Sequence, residues 1–423
     1  MSISKSILII SFYFPPYPKV GGRRWAKFAK YLNRMGIDSH VLCLTMNQDK
    51  KSPWDKDIIE YKEKVHRIKK DYIPPYFKRP IVDKDLFQKI KWVISYNFNK
   101  VLKSIGKGKF DDSSEKYKKE FFNRSKELID QYDFQTIIVT VGPFRYGHEL
   151  RKLKKIYPHK QFILDVRDFW EDWMFNYTDK QRKFERKIEE QTFKEFDLVF
   201  TCSKRICEHY KKKYQNQEKK FKHLTHGYDK EDYNFIEMIE DKFNKKRDLK
   251  IAYTGSLYPD MEKYFDRLLK FLLSMKKYYK RIVLDLYCVD KGYENYWKKS
   301  WDKIEINYKI PLSITKLSIK LKNEYDYMLY MRSDKTHDKH IFSTKFFDYL
   351  GIGKRIFFVG DKGDVSDFIV SNNIGLFLNE DNFLEIEKEI ISQKQGNNAS
   401  KFSMPNYDYL FITETLKSYL NQP

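Results

Sequence analysis

The chain has 423 residues, enough for about two or three domains, and 41% of them are hydrophobic, which excludes a wholly disordered polymer. Lys plus Arg number 82 against 59 Asp plus Glu, a net charge of +23, so anionic partners are indicated: nucleic acid, acidic lipid headgroups or phosphorylated substrates. Ile7 to Phe12 is too short an apolar run for a secretory leader, and no run reaches the roughly 18 residues of a membrane span. The four cysteines, Cys43, Cys202, Cys207 and Cys288, lack metal-site spacing and read as buried reduced thiols. The expectation is a cytoplasmic protein, with any membrane contact peripheral and at the inner face.

In chain order, Ile7 to Phe12 is the first strand, apolar throughout as in a sheet covered on both faces. Pro15, Pro16 and Pro18 keep the next stretch out of a helix. Gly21 and Gly22 then precede a helix with Trp25, Phe28, Ala29, Leu32 and Met35 on one face, stopped by Gly36. Further strands are expected at His40 to Leu44, Thr136 to Val141, Phe162 to Val166, Leu198 to Cys202 and His223 to Thr225. Helical patterns separate them, which implies a parallel sheet with right-handed crossovers.

An insertion interrupts this rhythm over about residues 70–130. From Leu86 through Phe110 there is no acidic residue. On a helix, Phe87, Ile90, Ile94, Phe98, Val101 and Ile105 share one face, while Trp92 and Tyr96 fall opposite, beside Lys89, Lys100 and Lys103. The ring-and-lysine face suits an anionic membrane interface. The other reading is a core helix with a solvated lysine face.

The second half repeats the plan, with strands expected at Ile251 to Thr254, Ile282 to Val289, Ile304 to Tyr308, Tyr327 to Met331 and Ile356 to Val359. The charged stretch from Glu237 to Leu249 marks the boundary. Residues 1–240 then form one domain, 247–404 a second, and 405–423 a C-terminal helix for which periodicity leaves open whether it crosses back to the first. Phe342 to Phe358 reads as a polar loop, a short helix, a glycine break and a buried strand. Ser343, Thr344 and Lys345 stand at the helix mouth, where unpaired N–H groups and the helix dipole suit a phosphate. Asp348 lies about one turn deeper and offers a carboxylate to hydroxyls. A nucleotide sugar needs both.

Several motifs in this order resemble the GT-B glycosyltransferases of family 4, particularly those that build bacterial surface polysaccharides. They are Ser11-Phe-Tyr-Phe-Pro-Pro16 with Gly21-Gly22, Thr140-Val-Gly-Pro143, Asp165-Val-Arg-Asp-Phe-Trp170, Thr201-Cys-Ser203, His226-Gly-Tyr-Asp229, Tyr253-Thr-Gly-Ser-Leu-Tyr258 and the segment around Lys345. The resemblance implies an α/β GT-B fold, two doubly wound Rossmann-like domains facing a central cleft. It implies retaining transfer of a sugar from a nucleotide-diphosphate sugar to a lipid-linked or saccharide acceptor, with no metal and no cofactor beyond the donor substrate.

The residues expected to carry the chemistry are Asp168, Lys345 and Asp348. Gly21, Gly22, Thr254, Gly255, Ser256, Lys263, His340, Ser343 and Thr344 are expected at the donor, and Arg23, Arg167, Trp170, His226 and Gly227 at the acceptor or cleft. Trp173 is a further ring that could stack on a sugar. Arg24 reads as an exposed arginine at a helix start, and Asp165 as more structural than Asp168. The sequence departs from the family where two glutamates seven residues apart are common: His340 and Asp348 bracket that motif here. The basic residue that follows the Thr-Gly-Ser turn in relatives is also displaced, to Lys263. The triplets Asp55-Lys-Asp57 and Asp83-Lys-Asp85 read as solvated surface rather than metal ligands. Two readings from other classes stay open: a catalytically silent nucleotide-sugar-binding scaffold, and a basic nucleic-acid-binding protein, for which no zinc finger, RNP-type motif or basic heptad region is present.

Overall fold

The computed structural model describes residues 6–17, 20–45, 52–71, 85–104, 112–171, 178–237, 248–288, 304–310, 312–332, 341–395 and 402–420. They divide into two compact units, Met1–Thr225 with Thr413–Pro423, and His226–Ile412.

The first unit is built on β1 (Ser6–Ser11), β2 (Asp38–Thr45), β3 (Val65–Asp71), β4 (Thr136–Val141), β5 (Gln161–Val166), β6 (Leu198–Thr201) and β7 (Phe221–His223). They form one parallel sheet in the order β3-β2-β1-β4-β5-β6-β7. The second unit carries β8 (Asp248–Thr254), β9 (Arg281–Tyr287), β10 (Glu305–Lys309), β11 (Tyr327–Met331), β12 (Ile356–Val359) and β13 (Gly375–Leu378), parallel in the order β10-β9-β8-β11-β12-β13. Each unit is therefore doubly wound. The strand order reverses beside the first strand, between β1 and β4 and again between β8 and β11. Ligands of such sheets sit outside the carboxyl ends of the strands at that reversal.

The helices that bear on the site are α1 (Arg23–Arg34), α2 (Leu86–Ser104), α3 (Arg145–Leu150), α4 (Asp179–Glu195), α5 (Glu262–Met275), α6 (Thr344–Ile352) and α7 (Tyr409–Tyr419). Central strands such as β1, β4 and β12 are buried along almost their whole length, as their unbroken apolar runs require. In the second unit, one face of the sheet packs Tyr253, Phe265, Leu268 and Leu329, and the other packs Ala252, Met328, Phe346 and Ile356. Two edge strands escaped the sequence reading. β3 is polar (Val-His-Arg-Ile-Lys-Lys-Asp), and β13 is only four residues long. Edges tolerate such sequences because one side pairs with no neighbour, and lysines there deter edge-to-edge aggregation. In α7, residues to Ile412 group with the second unit and those from Thr413 with the first. There the Tyr419 carbonyl accepts from Gln161 Nε2 at 3.2 Å, and its ring lies 5.3 Å from that of Phe200.

One surface reading needs correction, while Asp85 is exposed as read. Asp57 is buried rather than solvated, because Lys27 Nζ, itself fully buried on α1, lies 2.8 Å from its carboxylate. Asp85 accepts from the Gln88 amide at 2.7 Å and so caps α2, while Asp83 lies outside the described residues. The expected helix of the insertion forms as α2, but its apolar face is not a core face. Phe87, Ile90, Ile94, Phe98 and Val101 are all exposed. All four cysteines are buried and free. Burial lifts the thiols of Cys43 and Cys202 to about 11 and about 12, which makes them poor nucleophiles at neutral pH.

Candidate functional site

The second unit places a lysine, Lys345, at the strand-order reversal. β8 ends at Thr254, and Gly255 follows with φ +113, a conformation that side-chain-bearing residues rarely adopt. Its amide donates to the Tyr287 carbonyl at 3.0 Å, which pins the turn to β9. A Cβ at Gly255 would stand 2.7 Å from Lys345 Nζ, so the glycine is needed for space as well as for backbone. Lys345 reaches this turn from the first helical turn of α6. Its Nζ donates to Tyr253 Oη at 3.1 Å and lies 4.7 Å from the centre of the Tyr253 ring. Tyr253 Oη in turn donates to the Ser256 carbonyl at 2.7 Å. Among the described residues no carboxylate pairs with Lys345. Burial, and secondarily the charge of Arg332, pull its ammonium down to about 8.

The mouth of α6 is arranged to leave its amides available. Ser343 stands at the N-cap position with extended backbone, yet makes no capping hydrogen bond. Tyr330 Oη donates to Ser343 Oγ at 3.1 Å and accepts from the Ser343 amide at 3.0 Å, which draws Ser343 onto β11. No acidic residue occupies the first turn of α6. The helix is fixed in place by Tyr349, whose hydroxyl accepts from the Thr254 amide at 3.3 Å and donates to the Leu329 carbonyl at 3.2 Å. Thr254 Oγ1 lies 3.0 Å from the same hydroxyl. One tyrosine thus ties α6 to both strands of the reversal. A lysine with no carboxylate partner among the described residues, a wide glycine turn and a helix start without a side-chain cap are features that suit an anion.

Other residues expected here have different surroundings. Asp348 is half-buried and accepts from Tyr233 Oη at 2.8 Å; no described contact joins it to Lys345. Lys263 opens α5 and stands 3.3 Å from Asp361, a carboxylate shared with Tyr264 and Arg267. His226 is half-buried, with its ring 6.2 Å from that of Phe347 on α6. Gly227 corrects a cleft assignment. A Cβ there would stand 2.4 Å from both the Tyr407 carbonyl and Ile412 Cδ1, so this glycine serves close packing. Its neighbour Tyr228 pairs with Tyr407 and Tyr409 through backbone hydrogen bonds. His340 and Trp173 lie outside the described residues. A cavity lined by Tyr228, Tyr233, Lys322, Gly353 and Asp408 opens at the carboxyl end of α6, the opposite end from Lys345.

The corresponding turns of the first unit are held by side chains. Arg167, expected at the cleft, instead donates Nη1 to the Gly21 carbonyl at 2.9 Å and Nη2 to the Gly142 carbonyl at 2.6 Å. It clamps the turns after β1 and β4 to one another. Gly22 lets the chain approach the Phe14 backbone, where a Cβ would meet Cα at 3.2 Å. Arg23 and Arg24 are both buried. Arg24, read as an exposed helix-start residue, donates to the carbonyls of Leu224 and Thr225, each at 2.7 Å, and to Asp165 at 3.3 Å. Asp165 also accepts from Trp25 Nε1 at 2.7 Å and Thr140 Oγ1 at 2.9 Å, which makes it the structural carboxylate expected. Asp168 is exposed in the loop after β5.

Trp170 is a core residue rather than a stacking surface. It is fully buried against Phe144, with Nε1 donating to Glu185 at 3.2 Å. At the mouth of α3, the Asp112 carboxylate accepts from the amides of Phe144 at 2.7 Å and Arg145 at 3.2 Å. Arg145 itself pairs with Glu185.

The sequence reading missed Tyr253, Tyr330 and Tyr349, which orient the lysine and the helix. Their apolar periodicity places them in the core, and nothing in the sequence says where a hydroxyl ends.

No protein-family model matches the sequence, and no curated protein matches it. Solved structures do. The chain is similar to Alr3699/HepE of Anabaena in complex with UDP, with TM-score 0.58 and 9% identity over 98% of this chain and 99% of that one. It is similar to a glycosyltransferase of Rickettsia africae, with TM-score 0.56 and 14% identity over 98% of each chain. It is also similar to a UDP-GlcNAc 2-epimerase of Neisseria meningitidis bound to UDP-GlcNAc, with TM-score 0.52 and 11% identity over 98% of this chain and 99% of that one. At such identities the likeness establishes the fold. It is the GT-B fold in its two Rossmann-like units, as the motifs implied.

Proposed function

We propose that the protein is a glycosyltransferase that takes its sugar from a nucleotide-diphosphate donor. The observation that carries this reading is Lys345, an ammonium without a carboxylate partner among the described residues, set against the Gly255 turn at the strand-order reversal. Two of the similar structures hold UDP or UDP-GlcNAc, which supports the same class of ligand for this fold.

As the bond between sugar and diphosphate breaks, negative charge grows on the leaving group. Lys345 and the amides at the start of α6 oppose that charge without reorganising, and this lowers the barrier. The Thr254-Gly255-Ser256 turn lets the backbone approach the phosphates. Asp348 and His226 are proposed to bind sugar or acceptor hydroxyls. Ser343 and Thr344 present the helix start. Lys263 is already engaged by Asp361 and has a lesser part. Within the first unit, Arg167 holds the turns after β1 and β4 in shape. We propose retention of configuration, no metal, and a lipid-linked or saccharide acceptor of surface polysaccharide synthesis, all on the strength of the motif resemblance.

The experiment is a thermal-shift panel of nucleoside diphosphates and their sugars, followed by turnover of the donor that binds. A selective upward shift identifies the donor by mass action. Lys345→Ala is expected to keep its fold and lose about 10²–10³ in turnover. No shift with any nucleotide, or near-normal turnover by the variant, defeats the proposal. An epimerised donor with no transfer would instead make the chain an epimerase of the same fold.

A further inference from the structure

Helix α2 is an amphipathic helix whose apolar side is exposed. Phe87, Ile90, Ile94, Phe98 and Val101 repeat at three- and four-residue spacing, so they share one face. They are 65%, 50%, 62%, 62% and 57% exposed, at positions where a helix of a folded unit normally meets its core. Leu86 and Val93 border the same face and are exposed too. Trp92 and Tyr96, on the other side, stack on each other with ring centres 5.1 Å apart and planes 6° from parallel. They have partly satisfied one another.

Charge decides what covers it. Residues 86–110 contain six lysines and no Asp or Glu. Lys89 and Lys91 rise from the first turns of the helix, and Lys91 Nζ lies 4.5 Å from the centre of the Phe87 ring, beside the apolar face. A second copy of the helix would bring lysine against lysine with no carboxylate in the segment to pair them. An acidic bilayer surface offers excess anions to the lysines of the polar side and hydrocarbon to the apolar face. Lysine stems can lie along the apolar boundary while their heads stay in the headgroup layer. No described helix is long and apolar enough to cross a membrane, so the geometry is that of a helix lying in the interface.

We propose that α2 docks the protein on anionic lipid by inserting Phe87, Ile90, Ile94 and Phe98, with Lys91 at the border of that face. This reverses the face chosen from sequence, where Trp92 and Tyr96 made the contact. It stands independently of the sugar-transfer reading.

The test is flotation of the full chain with vesicles of phosphatidylcholine alone and vesicles holding about a third phosphatidylglycerol, over a salt series. The wild type is expected to float with the acidic vesicles and to be released by high salt. Ile90→Asp/Ile94→Asp alters exposed positions only, so melting should be unchanged, and binding should fall about tenfold or more. Trp92→Ala/Tyr96→Ala should change binding by about twofold or less. Three outcomes overturn the proposal. The wild type fails to float with acidic vesicles at low salt. The Trp92/Tyr96 variant loses binding while the Ile90/Ile94 variant keeps it. Or the wild type is a dimer without lipid that Ile90→Asp/Ile94→Asp turns into a monomer, which would assign the face to a second copy.

Discussion

The two units share a strand order, yet they finish the same two turns in opposite ways. In the first, the carbonyls of Gly21 and Gly142 are held by Arg167, and the mouth of α3 is closed by Asp112. In the second, the turn after β8 faces a lysine with no described carboxylate partner, and the mouth of α6 has no side-chain cap. Arg145 at the start of α3 is neutralised by Glu185, whereas Lys345, one position further into α6, is not neutralised by a described group. The first unit has converted its reversal point into internal structure. The second has left it as unspent electrostatic potential, the state required of a site that receives an anion.

That contrast can be broken in order of size. The largest effect is expected at Asp165. Asp165→Ala strands the buried Arg24 guanidinium and removes the partners of Trp25 and Thr140. Loss of one partner from a buried pair costs about 3–5 kcal/mol, so the first unit should melt much earlier in denaturant. Lys345→Ala should leave melting unchanged or slightly raised, because it removes a crowded charge. If the two variants lose stability equally, the division of labour is false.

Next comes the pH dependence of nucleotide-diphosphate binding. Burial holds Lys345 at about 8, and an adjacent polyanion must raise it. Below about 8 the lysine is already charged and affinity is level with pH. Above it, binding must take up a proton, so affinity falls by up to about tenfold per pH unit. Lys345→Arg should flatten the slope, since guanidinium stays charged. Calorimetry showing no slope in the wild type between pH 7 and pH 10 would count against Lys345 as the anion ligand.

The smallest effect is expected at Tyr253. Tyr253→Phe keeps the ring under Lys345 but removes the hydroxyl that reaches both Nζ and the Ser256 carbonyl. A hydrogen bond of this kind is worth about 0.5–1.5 kcal/mol, so turnover should fall about threefold to tenfold with donor KM nearly unchanged. A rise in KM alone would show that the hydroxyl serves ground-state binding rather than positioning.

Much of the frame was legible because it is local. The apolar runs of β1, β4, β11 and β12 announce buried parallel strands, and Gly255 before a helix announces a turn. Lys345 at a helix mouth was readable for the same reason. The misassignments involve partners far along the chain. Trp170 reads as a stacking ring until Phe144 and Glu185 enclose it, and Arg167 reads as a ligand contact until Gly21, 146 residues away, supplies its acceptor. Gly227 reads as a loop at a site until Tyr407 and Ile412 take the space a Cβ would need.

By itself, then, the sequence determined two α/β halves, their parallel strands and a phosphate-suited helix start, since periodicity, turn residues and helix dipoles act over a few residues. The tertiary structure alone decided which charges are consumed and which stay available. That depends on long-range pairing: Arg24 and Arg167 are used up by carbonyls and Asp165, while Lys345 meets Tyr253 and, among the described residues, no carboxylate. It also decided that the apolar face of α2 stays uncovered, because whether a stripe is core or surface depends on what the rest of the chain brings to it.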